Sequence, residues 1–144
     1  MLTEFSLGDV AFDAPNNWSV SEFDGTLELV QDEANGAMHF SFLKRSQSGP
    51  PQNSEARLLL ENFASNNELV PDTEIATRLS SSEARAAGRF HPRTPNSETP
   101  RHWLLATVVW QDKAVRVSYC SDVMTEEAVI GVKGVISSIR RRTT

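Results

Sequence analysis

The sequence predicts an α+β fold in which an antiparallel β-sheet is flanked by helices. Three observations support this prediction: short segments in which apolar and polar residues alternate, tight turns that join such segments as hairpins, and two segments whose apolar residues recur at helical spacing. The elements follow in the order strands, helix, strands, helix. That order is typical of an antiparallel sheet with helices packed on it.

Composition places the chain among ordinary globular proteins. Its 144 residues suit one domain spanning 1–144, with 39% apolar and 23% charged residues. The net charge of -5 lacks the basic footprint of a nucleic-acid-binding protein, so we expect no nucleic-acid partner. Cys120 is the only cysteine, which excludes an intramolecular disulfide and a cysteine-rich zinc site.

The N-terminal residues 1–9 predict no targeting segment, because they contain no basic start and no apolar stretch of secretory length. No window of the chain approaches the roughly 18 uninterrupted apolar residues that a membrane-spanning helix needs. We therefore expect a cytoplasmic protein without a membrane span.

The first half of the chain is predicted to be mostly strand. Residues 10–12 and 18–23 flank a proline-containing turn, and residues 26–30 and 38–42 alternate apolar with polar side chains. The last two are expected to form a hairpin around Asn35-Gly36, because both residues tolerate positive φ. Further along, residues 73–80 and 83–90 are weaker strand candidates, because Ala and Arg dilute the alternation.

A first helix is predicted to begin at Ser54, whose hydroxyl can accept a hydrogen bond from a free backbone amide. Its apolar residues fall on one stripe that would face a sheet. That stripe consists of Ala56, Leu59, Leu60, Phe63 and Ala64.

The strongest hairpin signal lies at residues 103–120. A turn at Asp112-Lys113 would place Trp110 opposite Val115 and Val108 opposite Val117. One face of the hairpin is then apolar and predicted to be core. The opposite face is mixed and can carry either a second helix or a ligand; it consists of Trp103, Leu105, Thr107, Val109, Arg116, Ser118 and Cys120.

A second helix is predicted after Thr125, which can cap it, with Glu126 and Glu127 favourable near the positive end. Its buried stripe is predicted to be Ala128, Val132, Val135, Ile136 and Ile139. The cluster at 140–142, three arginines, is interpreted as the solvated negative end of this helix.

The order of these elements resembles the PsbP/Mog-like family, over nearly the whole chain. The resemblance is carried by Phe12, Pro15-Asn16-Asn17-Trp18, Phe40-Ser41-Phe42-Leu43, Leu59-Leu60 with Phe63, the strand from Trp103 to Trp110, Val117-Ser118-Tyr119 and Val135-Ile136-Ser137-Ser138-Ile139. It implies an α-β-α sandwich and a non-catalytic role in holding other proteins. Members include a photosystem subunit, a GTPase-binding nuclear transport factor, bacterial lipoproteins and chaperones of type VI secretion effectors.

Candidate catalytic and metal-binding residues do not form a set in the sequence. Cys120 and His102 are predicted to point to opposite sides of the hairpin, so Cys120 is interpreted as a small buried apolar residue rather than a nucleophile. The three histidines lack the spacing of metal ligands, and neither a metal nor another cofactor is expected.

The function predicted from the sequence is that of a non-catalytic protein-binding module of adaptor or chaperone type. The alternative is a small-molecule-binding domain that uses the mixed face near Trp103 and Arg116. The candidate binding residues are Trp103, Arg116 and Ser118 from that face, with His91 and Arg93 from the proline-rich loop at 91–100. The oligomeric state is left open.

Overall fold

A computed structural model of the chain describes residues 2–31, 36–45 and 47–142. The strands in these ranges are β1 (Leu2–Leu7), β2 (Val10–Pro15), β3 (Trp18–Phe23), β4 (Thr26–Gln31), β5 (Ala37–Lys44), β6 (Leu69–Pro71), β7 (Ala76–Leu79), β8 (Ala84–Pro92), β9 (His102–Val109), β10 (Lys113–Ser121) and β11 (Arg140–Arg141). The helices are α1 (Asn53–Asn66) and α2 (Glu126–Ser137). Neither described helix is long and apolar enough to cross a membrane.

The described strands form two antiparallel sheets. The larger has eight strands in the order β3-β4-β5-β10-β9-β8-β6, and β7 pairs with β8 beside β6. The smaller has the order β1-β2-β11. A mostly antiparallel β-structure with two helices agrees with the predicted α+β class. The hairpin predicted for residues 26–30 and 38–42 is confirmed, because β4 and β5 pair with each other.

The β9–β10 hairpin occupies the middle of the larger sheet. Val108 lies opposite Val115, and the backbone N–H of Trp110 donates to the carbonyl of Lys113 at 2.8 Å, so the turn is Gln111-Asp112. The predicted register is therefore wrong by two residues. Because side chains alternate with period two, this shift leaves every residue on its predicted face.

The two faces of this hairpin belong to different hydrophobic clusters. On the apolar face, Leu104, Ala106 and Val108 pack in one cluster with residues of β2 and α2. On the mixed face, Leu105 and Val109 pack in a second cluster with residues of α1. The helical members are Val132 and Val135 in the first cluster, and Ala56, Leu60 and Ala64 in the second.

The predicted cap of α2 is confirmed, and that of α1 is wrong. The hydroxyl oxygen of Thr125 accepts from the N–H of Ala128 at 3.1 Å. Ser54 instead lies inside α1, and the cap position is Gln52, whose carbonyl accepts from the N–H groups of Glu55 and Ala56. The first turn of α1 is held to the segment before it, since Arg45 makes a two-pronged ion pair with Glu55 at 2.5 and 2.6 Å.

The arginine cluster at 140–142 does not end a helix. Helix α2 stops at Ser137, and Arg140 and Arg141 pair with β2 as strand β11. The guanidinium of Arg140 contacts Asp13 at 3.1 Å and Glu4 at 2.5 Å. Arg141 contacts Asp112 at 2.6 Å, and also Asp9. These acids, distant in sequence, draw the C-terminal arginines into the small sheet.

Gly36 precedes β5 and lies against the buried ring of Tyr119. Its φ is not positive, so the conformational reason predicted for it is wrong; Asn35 lies outside the described residues. A Cβ atom on Gly36 would lie 2.6 and 2.7 Å from two ring carbons of Tyr119, and would also meet its hydroxyl oxygen. Gly36 is therefore required for the close approach of the backbone to this ring.

We expect Gly36→Ala to lower the free energy of unfolding by about 1–3 kcal/mol, because the buried Tyr119 ring must move. Gly134→Ala is the matched control: Gly134 lies in α2 with open space around it, so the same added methyl should raise stability by roughly 0.5–1 kcal/mol. Urea unfolding of both variants measures the two changes. A stabilising Gly36→Ala would contradict the packing described here.

The cluster around Asp9 makes stability depend on pH. The pKa of Asp9 lies below its ordinary value of 3.8, mainly because the Lys113 ammonium donates to it at 2.6 Å, and further because of Arg141. A carboxylate with a lowered pKa stabilises the fold above pH 3.8 and loses this contribution as the pH falls through its folded pKa.

We expect Asp9→Asn to lower stability at pH 7 by about 0.5–1 kcal/mol, a modest value because the carboxylate is one-third exposed. The deficit should shrink towards zero as the pH falls below the ordinary pKa of 3.8. Glu22→Gln, at an exposed carboxylate outside this cluster, is the control. A deficit that stays constant down to the acid limit would show that the carboxylate charge is not its cause.

Candidate functional site

The candidate site is one half of the larger sheet, on the side where α1 packs. We call it the open sheet face and define it as three cross-strand rows of residues from β3, β4, β5 and β10 on that side. Residues directly opposite one another on neighbouring strands share a side of the sheet. The register gives three cross-strand rows: Ser19, Val30, Ala37 and Cys120; Ser21, Glu28, His39 and Ser118; and Phe23, Thr26, Ser41 and Arg116.

Helix α1 covers the other half of this side. It contacts β8 and β9 and, at their edge, β6 and β7. Exposure along one row shows where the cover ends: Thr107 of β9 is fully buried, Ser41 is half-buried, and Phe23 is 78% exposed. The hydroxyl of Thr107 donates to the α1 carbonyl of Ala56 at 2.7 Å, which secures the helix against β9.

Arg116 stands at the boundary between the covered and open halves. Its guanidinium lies 4.5 Å from the centre of the Phe63 ring, and one of its nitrogens lies 3.4 Å from the Ser41 hydroxyl oxygen. Burial lowers the pKa of Arg116, although an arginine remains charged at neutral pH. Within the described part of the chain, no carboxylate pairs with this half-buried cation.

Polar side chains continue the open sheet face away from Arg116. His39 Nε2 lies 2.8 Å from a carboxylate oxygen of Glu28, its cross-strand neighbour. Ser118 is nearly buried beside them at 9% exposure. The face therefore combines a cation without a carboxylate partner among the described residues, a His–Glu pair and several small side chains, with Phe63 of α1 at its border.

Trp103 and Cys120 lie opposite each other at one end of this border. The indole N–H of Trp103 donates to the Pro100 carbonyl at 2.8 Å. The ring packs against the second hydrophobic cluster, which contains the buried residues of α1 and which we call the α1 cluster. Burial raises the pKa of the Cys120 thiol, and Asp122 raises it further. A thiol with a raised pKa is a poor nucleophile at neutral pH.

The structure brings together three of the five predicted binding residues. Trp103, Arg116 and Ser118 share the α1 side of the sheet. His91 lies on β8 with the alternation that faces the other side, and its Nδ1 contacts the Asp72 carboxylate. Arg93 follows that strand, exposed, with its backbone N–H donating to Glu68 at 2.8 Å. The predicted loop at 91–100 also begins later, because β8 includes His91 and Pro92.

The sequence reasoning missed three members of the open sheet face, Glu28, His39 and Ser41, and also the position of Phe63 at its border. The first three were visible as the polar positions of two alternating strands, but only the sheet order places them beside Arg116. Among the described residues, no group of three or more His, Cys, Asp or Glu side chains could hold a metal ion.

Comparison with known proteins gives a likeness of fold. No protein-family model matches the chain. No curated protein matches it either. The chain is similar to a crystal structure, at 1.50 Å resolution, of a protein from Bacteroides thetaiotaomicron VPI-5482, with a TM-score of 0.56 and 11% sequence identity. The match covers 94% of this chain and 46% of that protein, so this chain spans about half the length of that protein.

We expect alkylation of Cys120 by iodoacetamide to be slow at pH 8 and to accelerate up to and beyond pH 9, because burial raises the thiol pKa above its ordinary value of 9.0. The same protein unfolded in urea is the control and should react at the rate of a free cysteine. A rate that levels off below pH 8 would instead reveal an activated thiolate and would revive a nucleophilic role.

Proposed function

We propose that this chain is a non-catalytic protein-binding module, of adaptor or chaperone type, that holds its partner on the open sheet face. The observation that carries the proposal is Arg116, a half-buried guanidinium stacked on Phe63 without a described carboxylate partner. Leaving such a cation unpaired costs stability in the isolated chain. A carboxylate of a bound partner would neutralise it.

The shape of the surface favours a macromolecular partner. The open sheet face spans four strands, which are spaced about 4.8 Å apart, and it is bordered by α1 on one side only. Small-molecule sites are usually concave and enclose most of the ligand surface. Arginine and aromatic residues beside small polar side chains, as here, are typical of protein interfaces.

The alternative, a small-molecule site near Trp103 and Arg116, has less support. The Arg116 guanidinium stacks on Phe63, and Trp103 packs against the α1 cluster. Both side chains thus fill the space in which an enclosed ligand would have to lie.

The proposal extends to fold family and location. The PsbP/Mog-like α-β-α sandwich is supported by the contribution of α1 and α2 to separate clusters on the two sides of the larger sheet. A cytoplasmic location is supported by a sole cysteine that is free.

Paired photo-crosslinking tests the proposed surface. We place a photo-reactive amino acid either at Ser21, exposed on the open sheet face, or at Glu22, the next residue, exposed on the opposite side. In cells of the native organism, we expect a defined protein to cross-link from position 21 and not from position 22. Arg116→Glu should reduce that product at least about tenfold, since it replaces an attractive charge by a repulsive one.

Arg116→Gln, with a melting curve, separates loss of binding from loss of folding. It should weaken cross-linking while leaving the cooperative unfolding transition in place. Equal cross-linking from positions 21 and 22 would contradict the proposed surface. A small molecule retained in native mass spectrometry, without any protein product, would favour the alternative function.

A further inference from the structure

A groove runs between α2 and strands β7 and β8, on the side of the larger sheet away from α1. It consists of three clefts of about 360, 250 and 610 Å3. Ala76, Ala87 and Ile136 line both the first and the second cleft, and Arg78 and Arg85 line both the second and the third. The clefts are therefore continuous, and we call them together the α2 groove.

The α2 groove is positively charged in a chain whose net charge is -5. Its lining contains five cations and three carboxylates. The cations are Arg78, Arg85, Arg89, Lys133 and Arg140, and the carboxylates are Asp13, Glu74 and Glu83. A local sign opposite to that of the whole molecule attracts an anionic partner to this groove in particular.

Two arginines lie side by side on the strands that form one wall of the groove. Arg78 of β7 lies opposite Arg85 of β8, an arrangement that destabilises a strand pair unless the charges are compensated. Arg85 is compensated by Glu83 and by the carbonyl oxygens of Ile136 and Ile139, at 3.0 and 2.5 Å. In the described ranges, the guanidinium of Arg78 makes no hydrogen bond or ion pair.

Two further cations, Lys133 and Arg89, extend the groove towards its other end. Lys133 of α2 is exposed and, among the described residues, has no acidic partner. Arg89 donates to the sulfur of Met124 at 3.3 Å and contacts no described carboxylate. Between these charges, the floor is apolar and includes Leu104, Ala106 and Ala87.

We infer that the α2 groove binds an extended acidic segment of a partner protein. Arg78 lies level with Arg85, which is four residues from Arg89 on the same side of β8, so Arg78 and Arg89 are about 13 Å apart along the strand direction. An extended segment rises by the same distance per residue as β8. Carboxylates at alternate positions of the segment can therefore lie level with these cations. The small side chains of the floor leave room for its backbone. This site lies on the opposite side of the sheet from the open sheet face and does not depend on it.

Fluorescence anisotropy with synthetic peptides tests this inference. The probe is a fluorescein-labelled nonapeptide in which Glu and Ser alternate; the controls replace every Glu by Gln, or collect the Glu residues in one block. We expect the alternating Glu peptide to bind more tightly than both controls, with an affinity that falls as salt is raised.

Arg78→Gln and Lys133→Gln should each weaken binding about tenfold, since each removes a charge-assisted hydrogen-bond donor. Arg101→Gln, which removes an exposed charge outside the groove, is the matched control and should change the affinity less than about twofold. Arg116→Gln should also leave it unchanged, so that this inference and the proposed function can fail separately.

Three outcomes would overturn the inference. They are absence of binding by the alternating Glu peptide, equal binding of the Gln or block peptide, and an equal loss of affinity in Arg101→Gln. The last would indicate attraction to any positive charge rather than a site in the groove. Melting curves of Arg78→Gln and Lys133→Gln confirm that each variant is folded.

Discussion

The structure depends on a mismatch of width between one helix and one sheet. A helix with its side chains is about 10–12 Å wide and covers roughly two strands, which are spaced about 4.8 Å apart. On its side of the eight-stranded sheet, α1 packs on β8 and β9, and β3, β4 and β5 extend beyond it. The polar residues that β10 directs to this side, Arg116 and Ser118, lie at the border of that cover. The open sheet face is the direct result.

The other side of the sheet is covered differently. Helix α2 and the small sheet share it, and Phe12 of β2 stacks on Phe40 of β5 with 4.4 Å between ring centres. The cover is held by β11, whose arginines reach acids at the far end of the chain. Towards β7 and β8 the cover ends, and the α2 groove begins. The open sheet face thus begins where α1 ends, and the α2 groove begins where α2 and the small sheet end. Because the two surfaces lie on opposite sides of the larger sheet, partners bound there would not compete for the same residues.

Local patterns in the sequence predicted the fold better than they predicted the site. The faces of β9 and β10 followed from alternation, even though the predicted turn was displaced, because a shift of two residues preserves every face. The Thr125 cap was equally local.

Arg140 and Arg141 were misplaced because their strand pairs with β2, more than 120 residues earlier, and no local signal reports such a pairing. His91 and Arg93 were assigned by nearness to a loop, whereas the alternation of β8 turns His91 to the other side. Glu28 and His39 could join Arg116 only once the sheet order was known.

Cysteine accessibility along one cross-strand row tests most directly whether α1 leaves half of the sheet open. In a Cys120→Ala background, Ser41→Cys and Thr107→Cys place thiols in the same row, on either side of Arg116. We predict that the thiol at position 41 reacts with a maleimide at least about tenfold faster than the thiol at position 107, which α1 buries. Equal rates at the two positions would contradict the boundary of the open sheet face and the function proposed for it.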